Sequence, residues 1–180
     1  MDEPDPQLIA AARRGDLGAF ETIVHRYQAD LWRLSFHLVR DESMADDVVQ
    51  DAFVRVYRFL PRYRGESKFS TWLFALTRNC ALDELRRAGR RHKLSRALYY
   101  ERSPAGPDQS GRIEVREALG ALPLDLREPV VLIDMFGASY AEAARVLRVP
   151  VGTVKSRVHR ARQVLGRALQ EPGEERHVEI

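Results

Sequence analysis

Between Ser139 and Arg162 the chain reads SYAEAARVLRVPVGTVKSRVHRAR, and few folds are open to such a segment. Ser139 and Glu142, three residues apart, form a capping box that satisfies two free backbone N–H groups where a helix begins. Ala143, Ala144 and Leu147 are small or apolar, so a second helix can cross closely. Val149 and Pro150 end the first helix and launch the next. From there Val154, Val158, Ala161 and Leu165 fall at helical spacing and form a buried stripe. The stripe leaves Thr153, Lys155, Ser156, Arg157, His159, Arg160 and Arg162 on the outer face, and no acidic residue stands between Arg145 and Gln170. Two short helices, a tight turn and a basic second helix are the layout of a helix-turn-helix, whose second helix enters the DNA major groove. A helical hairpin with a merely solvated basic face is the plainer reading. Cap, turn, stripe and basic face coincide here, which favours the DNA-reading one.

Charge is uneven along the 180 residues. The net charge is +3, but residues 1–60 carry seven Lys/Arg against eleven Asp/Glu. The basic residues gather in two blocks. One is Arg86, Arg87, Arg90, Arg91, Lys93 and Arg96; the other runs from Arg145 to Arg167. Separate basic blocks point to two contacts on one polyanion, and the acidic first third points to a different partner. Cys80 is the one cysteine, which excludes an internal disulfide framework and a thiolate metal site. The five histidines show no ligand spacing, and no cofactor or metal is expected. No apolar run approaches membrane-spanning length, and the acidic start lacks the basic flank of a signal peptide. The expectation is a cytoplasmic protein without direct membrane insertion.

The other segments read as helices, so the predicted fold class is all-α. Asp5-Pro6 opens a short helix and Gly15 stops it. A long helix begins near Asp16, with Phe20, Ile23, Val24, Tyr27, Leu31, Leu34 and Leu38 as its buried stripe. Ser43 is placed to cap a third helix, with Val48, Val49, Ala52, Phe53, Val56, Tyr57 and Leu60 facing inward. Residues 61–70, PRYRGESKFS, form a loop in which basic and aromatic residues mix. A fourth helix spans about Thr71 to Ala88. Residues 89–111 contain the Ser-Pro-Ala-Gly-Pro run at 103–107 and read as a flexible linker. Helices around Arg112–Leu122 and Asp125–Phe136 follow, with Pro129 near the start of the latter and Gly137 as its stop. The expected domains are 1–88, the linker 89–111, 112–170 with the helix-turn-helix, and a polar tail at 171–180.

Four motifs in this order closely resemble a bacterial sigma factor of the extracytoplasmic-function type, the small members of their superfamily built from regions two and four. Asp41 to Tyr57, DESMADDVVQDAFVRVY, resembles the helix that binds the polymerase clamp. Tyr63 to Asn79, YRGESKFSTWLFALTRN, resembles the loop and helix that recognise and open the minus-ten element. Leu122 to Phe136, LPLDLREPVVLIDMF, resembles the start of region four, and Ser139 to Arg162 its minus-35 reader. One departure stands out. Arg148 occupies the inter-helix turn where family members often have glycine; if the position needs a positive φ, arginine costs about 1 kcal/mol there.

The resemblance implies roles for the polar residues. Asp46, Asp47, Gln50, Asp51 and Arg55 share the polar side of the third helix and, with Phe53, would dock onto core RNA polymerase. From the residues alone, solvated surface or a metal-binding nuclease cluster are the rival readings; the latter needs ligands converging from a second element, and none is evident. In the loop, Tyr63, Arg64, Lys68 and Phe69 offer aromatic faces for unpaired bases and cations for phosphates, although Phe69 is expected to plug into the core. With Ser67, Thr71, Trp72, Arg86 and Arg87 they would form the minus-ten contact. The resemblance implies a pocket for a flipped base with Asn79 at its back, and leaves Trp72 between core and wedge. Cys80, on an apolar helix face, is expected to be buried and inert. The implied partners are core RNA polymerase, promoter DNA and an anti-sigma factor, membrane-bound or zinc-containing. No small-molecule substrate and no enzymatic activity are implied. The rival functions are an autonomous helix-turn-helix regulator and, more remotely, a metal-dependent nuclease.

Overall fold

Three aspartates open the first three helices. In a computed structural model of the protein, which describes residues 3–95 and 112–170, the Asp5 carboxylate accepts the Gln7 N–H at 2.8 Å. Pro6 takes the first position of α1 (Pro6–Arg13), and Gly15, at φ 96°, turns the chain out of it. Asp16 accepts from the Ala19 N–H at 3.0 Å and starts α2 (Leu17–Val39). Asp41 accepts from the Met44 N–H at 2.7 Å and starts α3 (Glu42–Phe59). Ser43, the expected cap, is therefore already inside α3. Arg40 leaves α2 in the left-handed region at φ 61°, so the extended backbone that a cap needs falls on Asp41.

The expected stripe of α2 is buried at Ile23, Tyr27, Leu31, Leu34 and Leu38, while Phe20 and Val24 sit at its edge. It packs against Val48, Ala52 and Val56 of α3 and Leu73, Cys80 and Ala81 of α4 (Phe69–Ser95). A 3₁₀ turn over Leu60–Arg62 ends α3. Helix α4 continues seven residues past its expected end at Ala88, so the first part of the expected linker at 89–111 is helical. One glycine costs a helix only about 1 kcal/mol, and the arginines around Gly89 are good helix formers. Arg86 to Asp83 (3.1 Å) and Arg87 to Glu84 (3.5 Å) add i, i+3 support. The rest of the expected linker, 96–111, and the tail, 171–180, lie outside the described residues.

The second half comprises α5 (Arg112–Ala121), α6 (Leu124–Val130), a π turn (Val131–Met135), α7 (Tyr140–Leu147) and α8 (Val151–Gln170). Pro129 stands near the end of α6 rather than near the start of a single helix. It lacks an N–H, and the helix widens directly after it: the Phe136 N–H reaches back five residues to the Val131 carbonyl at 3.3 Å. No strand occurs among the described residues, so the class is all-α, as expected.

The two halves are in direct contact. Phe74 of α4 meets Phe136 edge-on, centroids 5.1 Å apart. The Arg78 guanidinium donates to both carboxylate oxygens of Glu128, at 2.7 and 2.9 Å. Arg127 donates to the His37 carbonyl at 3.1 Å, and the Arg116 guanidinium lies 4.4 Å from the Phe36 ring centroid. The two helical domains thus also share a seam among the described residues. Arg78, Arg127 and Glu128 are buried or half-buried here, and each has a partner across the seam.

Candidate nucleic-acid interface

The helix-turn-helix is built as its sequence suggests. The Ser139 hydroxyl accepts the Glu142 N–H at 3.2 Å, and the Glu142 carboxylate accepts the Ser139 N–H at 2.7 Å. Arg148 closes α7 at φ 56°, ψ 45°, so the left-handed conformation is real and arginine bears its cost. The Pro150 carbonyl then accepts from Thr153 and Val154 N–H groups and starts α8. Val154, Val158 and Ala161 are buried and Leu165 half-buried, which turns the opposite face outward.

The seven residues expected to meet the groove separate into two groups. Lys155, Ser156, His159 and Arg160 are exposed. Lys155 and Arg160 form no ion pair among the described residues, so their charge is available to DNA. Thr153 is half-buried, and its carbonyl accepts the Ser156 hydroxyl at 2.9 Å. Arg157 is half-buried and leans toward Asp125, 3.8 Å away. Arg162 makes a bidentate pair with Asp134 at 2.6 and 3.2 Å, and that pairing raises its pKa. The outward reading face is therefore narrower than the basic run in the sequence.

At the other end, the loop before α4 encloses an open hollow of about 310 Å³, lined by Arg62, Tyr63, Arg64, Glu66, Ser67 and Trp72. The Tyr63 hydroxyl donates to the Ser67 carbonyl at 2.6 Å and closes the loop. Gly65, at φ 74°, makes the reversal. The Tyr63 ring packs on Trp72 (5.1 Å) and on Phe69 (5.6 Å). Phe69 is buried, as expected, and its ring also meets Tyr27 at 5.9 Å. Trp72 is both core and wall: half-buried, with one side on Phe69 and part of its surface in the hollow. Burial raises the pKa of Tyr63, so its phenol stays a neutral donor. Aromatic walls with Arg62 and Arg64 beside them are the chemistry of single-strand capture.

Several expected minus-ten residues lie elsewhere. Thr71 is buried behind the loop. Asn79 is half-buried, seven residues beyond Trp72, about 10 Å further along α4, and does not line the hollow. Arg86 and Arg87 are more distant still and pair with Asp83 and Glu84. Lys68 reaches across the seam to Glu142 at 2.8 Å. The Lys68 ammonium first, and the Ser139 N–H second, hold the Glu142 carboxyl down to about 2, and the same contact raises Lys68. The loop is thereby tied to the cap of the helix-turn-helix.

On α3, Asp46, Asp47 and Gln50 are exposed, and Trp32 Nε1 donates to Asp46 at 2.7 Å. Arg55 lies 3.0 Å from both Asp51 of α3 and Asp83 of α4. Phe53 packs half-buried against the core. Tyr57, expected inward, is 48% exposed and Val54 54%; Tyr57 keeps an edge contact with Phe20 at 5.1 Å. The exposed face thus continues from Asp47 and Gln50 into Val54 and Tyr57. Val54 and Tyr57 extend the exposed face of α3 and Arg62 lines the hollow, and none of the three is among the expected site residues. The spacing 47, 50, 54, 57 was the signal for the first two, and the PRYR run for the third. Cys80 is buried and its thiol is pushed up to about 12 by that burial, consistent with an inert residue. Among the described residues no three His, Cys, Asp or Glu side chains converge on one point, and no helix is long and apolar enough to cross a membrane.

The chain matches the family model of Sigma-70 region 2 over residues 23–91 and that of Sigma-70, region 4 over residues 112–165. It is 38% identical to the RNA polymerase sigma-H factor of Pseudomonas aeruginosa, across 93% of this chain and 95% of that protein. Among solved structures it resembles the sigma factor RpoE in complex with the anti-sigma factor NepR from Bartonella quintana. The TM-score is 0.74 at 29% identity, over 86% of this chain and 98% of that one. It also resembles CnrH in complex with the cytosolic domain of CnrY, with a TM-score of 0.68 at 32% identity, over 90% and 94% of the two chains. With both regions matched in order and a relative aligned over almost its whole length, the chain belongs to the sigma-70 family of RNA polymerase sigma factors, in its extracytoplasmic-function group.

Proposed function

We propose that this promoter-specificity subunit divides its work among three surfaces. The α3 face from Asp46, Asp47, Gln50 and Asp51 to Val54 and Tyr57 docks onto core RNA polymerase, acidic at one end and apolar at the other. The outward face of α8, with Lys155, Ser156, His159 and Arg160, reads the minus-35 element; Thr153, Arg157 and Arg162 flank it. The hollow between Tyr63 and Trp72 receives an unpaired base of the minus-ten element, with Arg62 and Arg64 on the phosphates. Asn79, Arg86 and Arg87 would then contact DNA beyond the hollow rather than inside it. The observation that carries this reading is the hollow, an aromatic, cation-rimmed cavity on the segment matched to region 2. The chain performs no chemistry of its own and works in the cytoplasm, where polymerase and DNA are.

The seam between the halves must open for this work. The two promoter elements are centred some 25 base pairs apart, about 85 Å at 3.4 Å per pair. Lys68 beside the hollow and Glu142 at the helix-turn-helix are in contact at 2.8 Å. A chain closed in this way cannot reach both elements. Polymerase supplies the spacing, and an anti-sigma factor that favours the closed form withholds it. The complexes of RpoE with NepR and of CnrH with CnrY support such a partner here.

Run-off transcription with purified core polymerase, on the promoter upstream of the protein's own gene, tests the assignment. Start-site-specific transcripts that need the protein are expected, with weak promoter binding by the protein alone. Tight sequence-specific footprints without polymerase would instead establish an autonomous regulator.

A further inference from the structure

Helix α4 begins without a cap of its own. The residue before Phe69 is Lys68, whose side chain has no acceptor, and it points to Glu142. Yet two N–H groups of the first turn are satisfied, by a residue more than sixty positions away. The Glu3 carboxylate accepts the Phe69 N–H at 2.8 Å and the Ser70 N–H at 3.3 Å. It also accepts the Ser70 hydroxyl. Glu3 is itself held on both sides. Arg26 donates to its carbonyl at 3.2 Å. Pro4 is buried, and Asp5 is fixed as the cap of α1.

The geometry points to Glu3 as a positioning residue for minus-ten capture, a cap supplied from a distant part of the same chain that sets the shape of the hollow. The hollow has two ends. Tyr63 closes one through the Ser67 carbonyl. The other is the start of α4, where Phe69 carries the ring against which both Tyr63 and Trp72 pack. Fixing the Phe69 and Ser70 N–H groups fixes that ring, and through it the two aromatic walls. A negative charge at a helix N-terminus also meets the positive end of the dipole, so carboxylate is the right chemistry for the position. Lys68, freed of a capping duty, remains available for a phosphate or for Glu142. Glu3 touches no DNA in this scheme; it acts through the loop.

This inference rests on the reading of the hollow as the base-capture site, and the experiment separates the two. Holoenzyme is assembled with the wild-type chain, Glu3→Ala, Glu3→Gln and Trp72→Ala. Three quantities are measured on each: affinity for core polymerase, reactivity of unpaired thymines at the minus-ten element, and transcription from promoters varied one base at a time. Loss of a helix cap lowers the population of the capped conformation about twofold to thirtyfold. Glu3→Ala is expected to lose at least threefold of its preference at one minus-ten position and to reduce duplex opening, with core affinity unchanged. Glu3→Gln, which keeps one acceptor, should fall between it and wild type. A purely structural role would instead lower core affinity and the melting temperature together. If Trp72→Ala alters base preference and Glu3→Ala does not, the positioning role is overturned while the hollow stands. If Glu3→Ala raises opening without changing preference, Glu3 acts only as a repelling charge, and the inference is also overturned. If neither variant moves base preference, the reading of the hollow fails first.

Discussion

Replacing Glu128 by glutamine is expected to open the seam between the two halves. The Arg78–Glu128 pair is bidentate, and the side-chain exposures are 17% and 5%. Removing one partner of a buried pair leaves the other charge without compensation, at about 3–5 kcal/mol. Arg78 retains some access to water, so the lower end applies, about 3 kcal/mol, or roughly a hundredfold in the ratio of closed to open chain. The open chain escapes this penalty because Arg78 is solvated there. Small-angle scattering should report a larger radius of gyration for Glu128→Gln, and core polymerase should bind more tightly by up to the same factor, because a larger fraction is competent. Replacing both partners with apolar residues, Arg78→Met and Glu128→Leu, should restore closure, since a well-packed apolar pair avoids desolvating charge. The reasoning is refuted if Glu128→Gln, still folded by circular dichroism, keeps the scattering profile and core affinity of wild type.

Three further outcomes are expected. Arg160→Ala should weaken minus-35 recognition by about 1–3 kcal/mol and relax specificity at one position in holoenzyme binding assays, and Arg157→Ala should cost less because Asp125 already engages it. Arg148→Gly should raise thermal stability by about 1 kcal/mol, since the turn sits at φ 56°; a lower melting temperature would show that the arginine side chain contributes more than its backbone costs. Glu142, depressed to about 2 from the usual 4.5, contributes stability that is complete above about pH 4.5 and lost as pH falls toward 2. Lys68→Ala should move that carboxyl upward in an NMR titration, so that the contribution is smaller and its loss, which still begins near pH 4.5, is complete at a higher pH; an unmoved carboxyl would mean that Lys68 and Glu142 do not pair in solution.

Local signals carried much of the architecture into the sequence. The Ser139–Glu142 box, the Asp5-Pro6 start and the stripe from Ile23 to Leu38 depend on neighbours within one or two turns, and such features are visible in one dimension. The same holds for Arg148, whose left-handed backbone follows from the shortness of its turn. What escaped depends on partners far along the chain. Arg78 and Glu128 are fifty residues apart and look like surface charges until they meet. Glu3 reads as part of a polar start until its carboxylate is found on α4. Tyr57 has the spacing of the stripe, but the buried line of α3 runs through Val48, Ala52 and Val56 to Leu60, so the aromatic stands at its edge with one side on Phe20 of α2. Asn79 stands apart from the hollow for a different reason: two turns of helix separate it from Trp72, a distance that adjacency within one motif does not show.

The shared arginine on α3 has a mechanical consequence. Arg55 holds Asp51 on its own helix and Asp83 on α4 at the same 3.0 Å, while Val56 and Leu73 lock the same two helices through the core. The shaft bearing the docking face and the shaft bearing the Trp72 wall thus turn together or not at all. If α3 docks and the hollow receives a base, as proposed, a large body that grips α3 by its outer side carries the hollow on the same frame. Such a handle makes the length of the segment between the halves irrelevant to the aim at the minus-ten element, and leaves that segment to set only how far away the second reader can land.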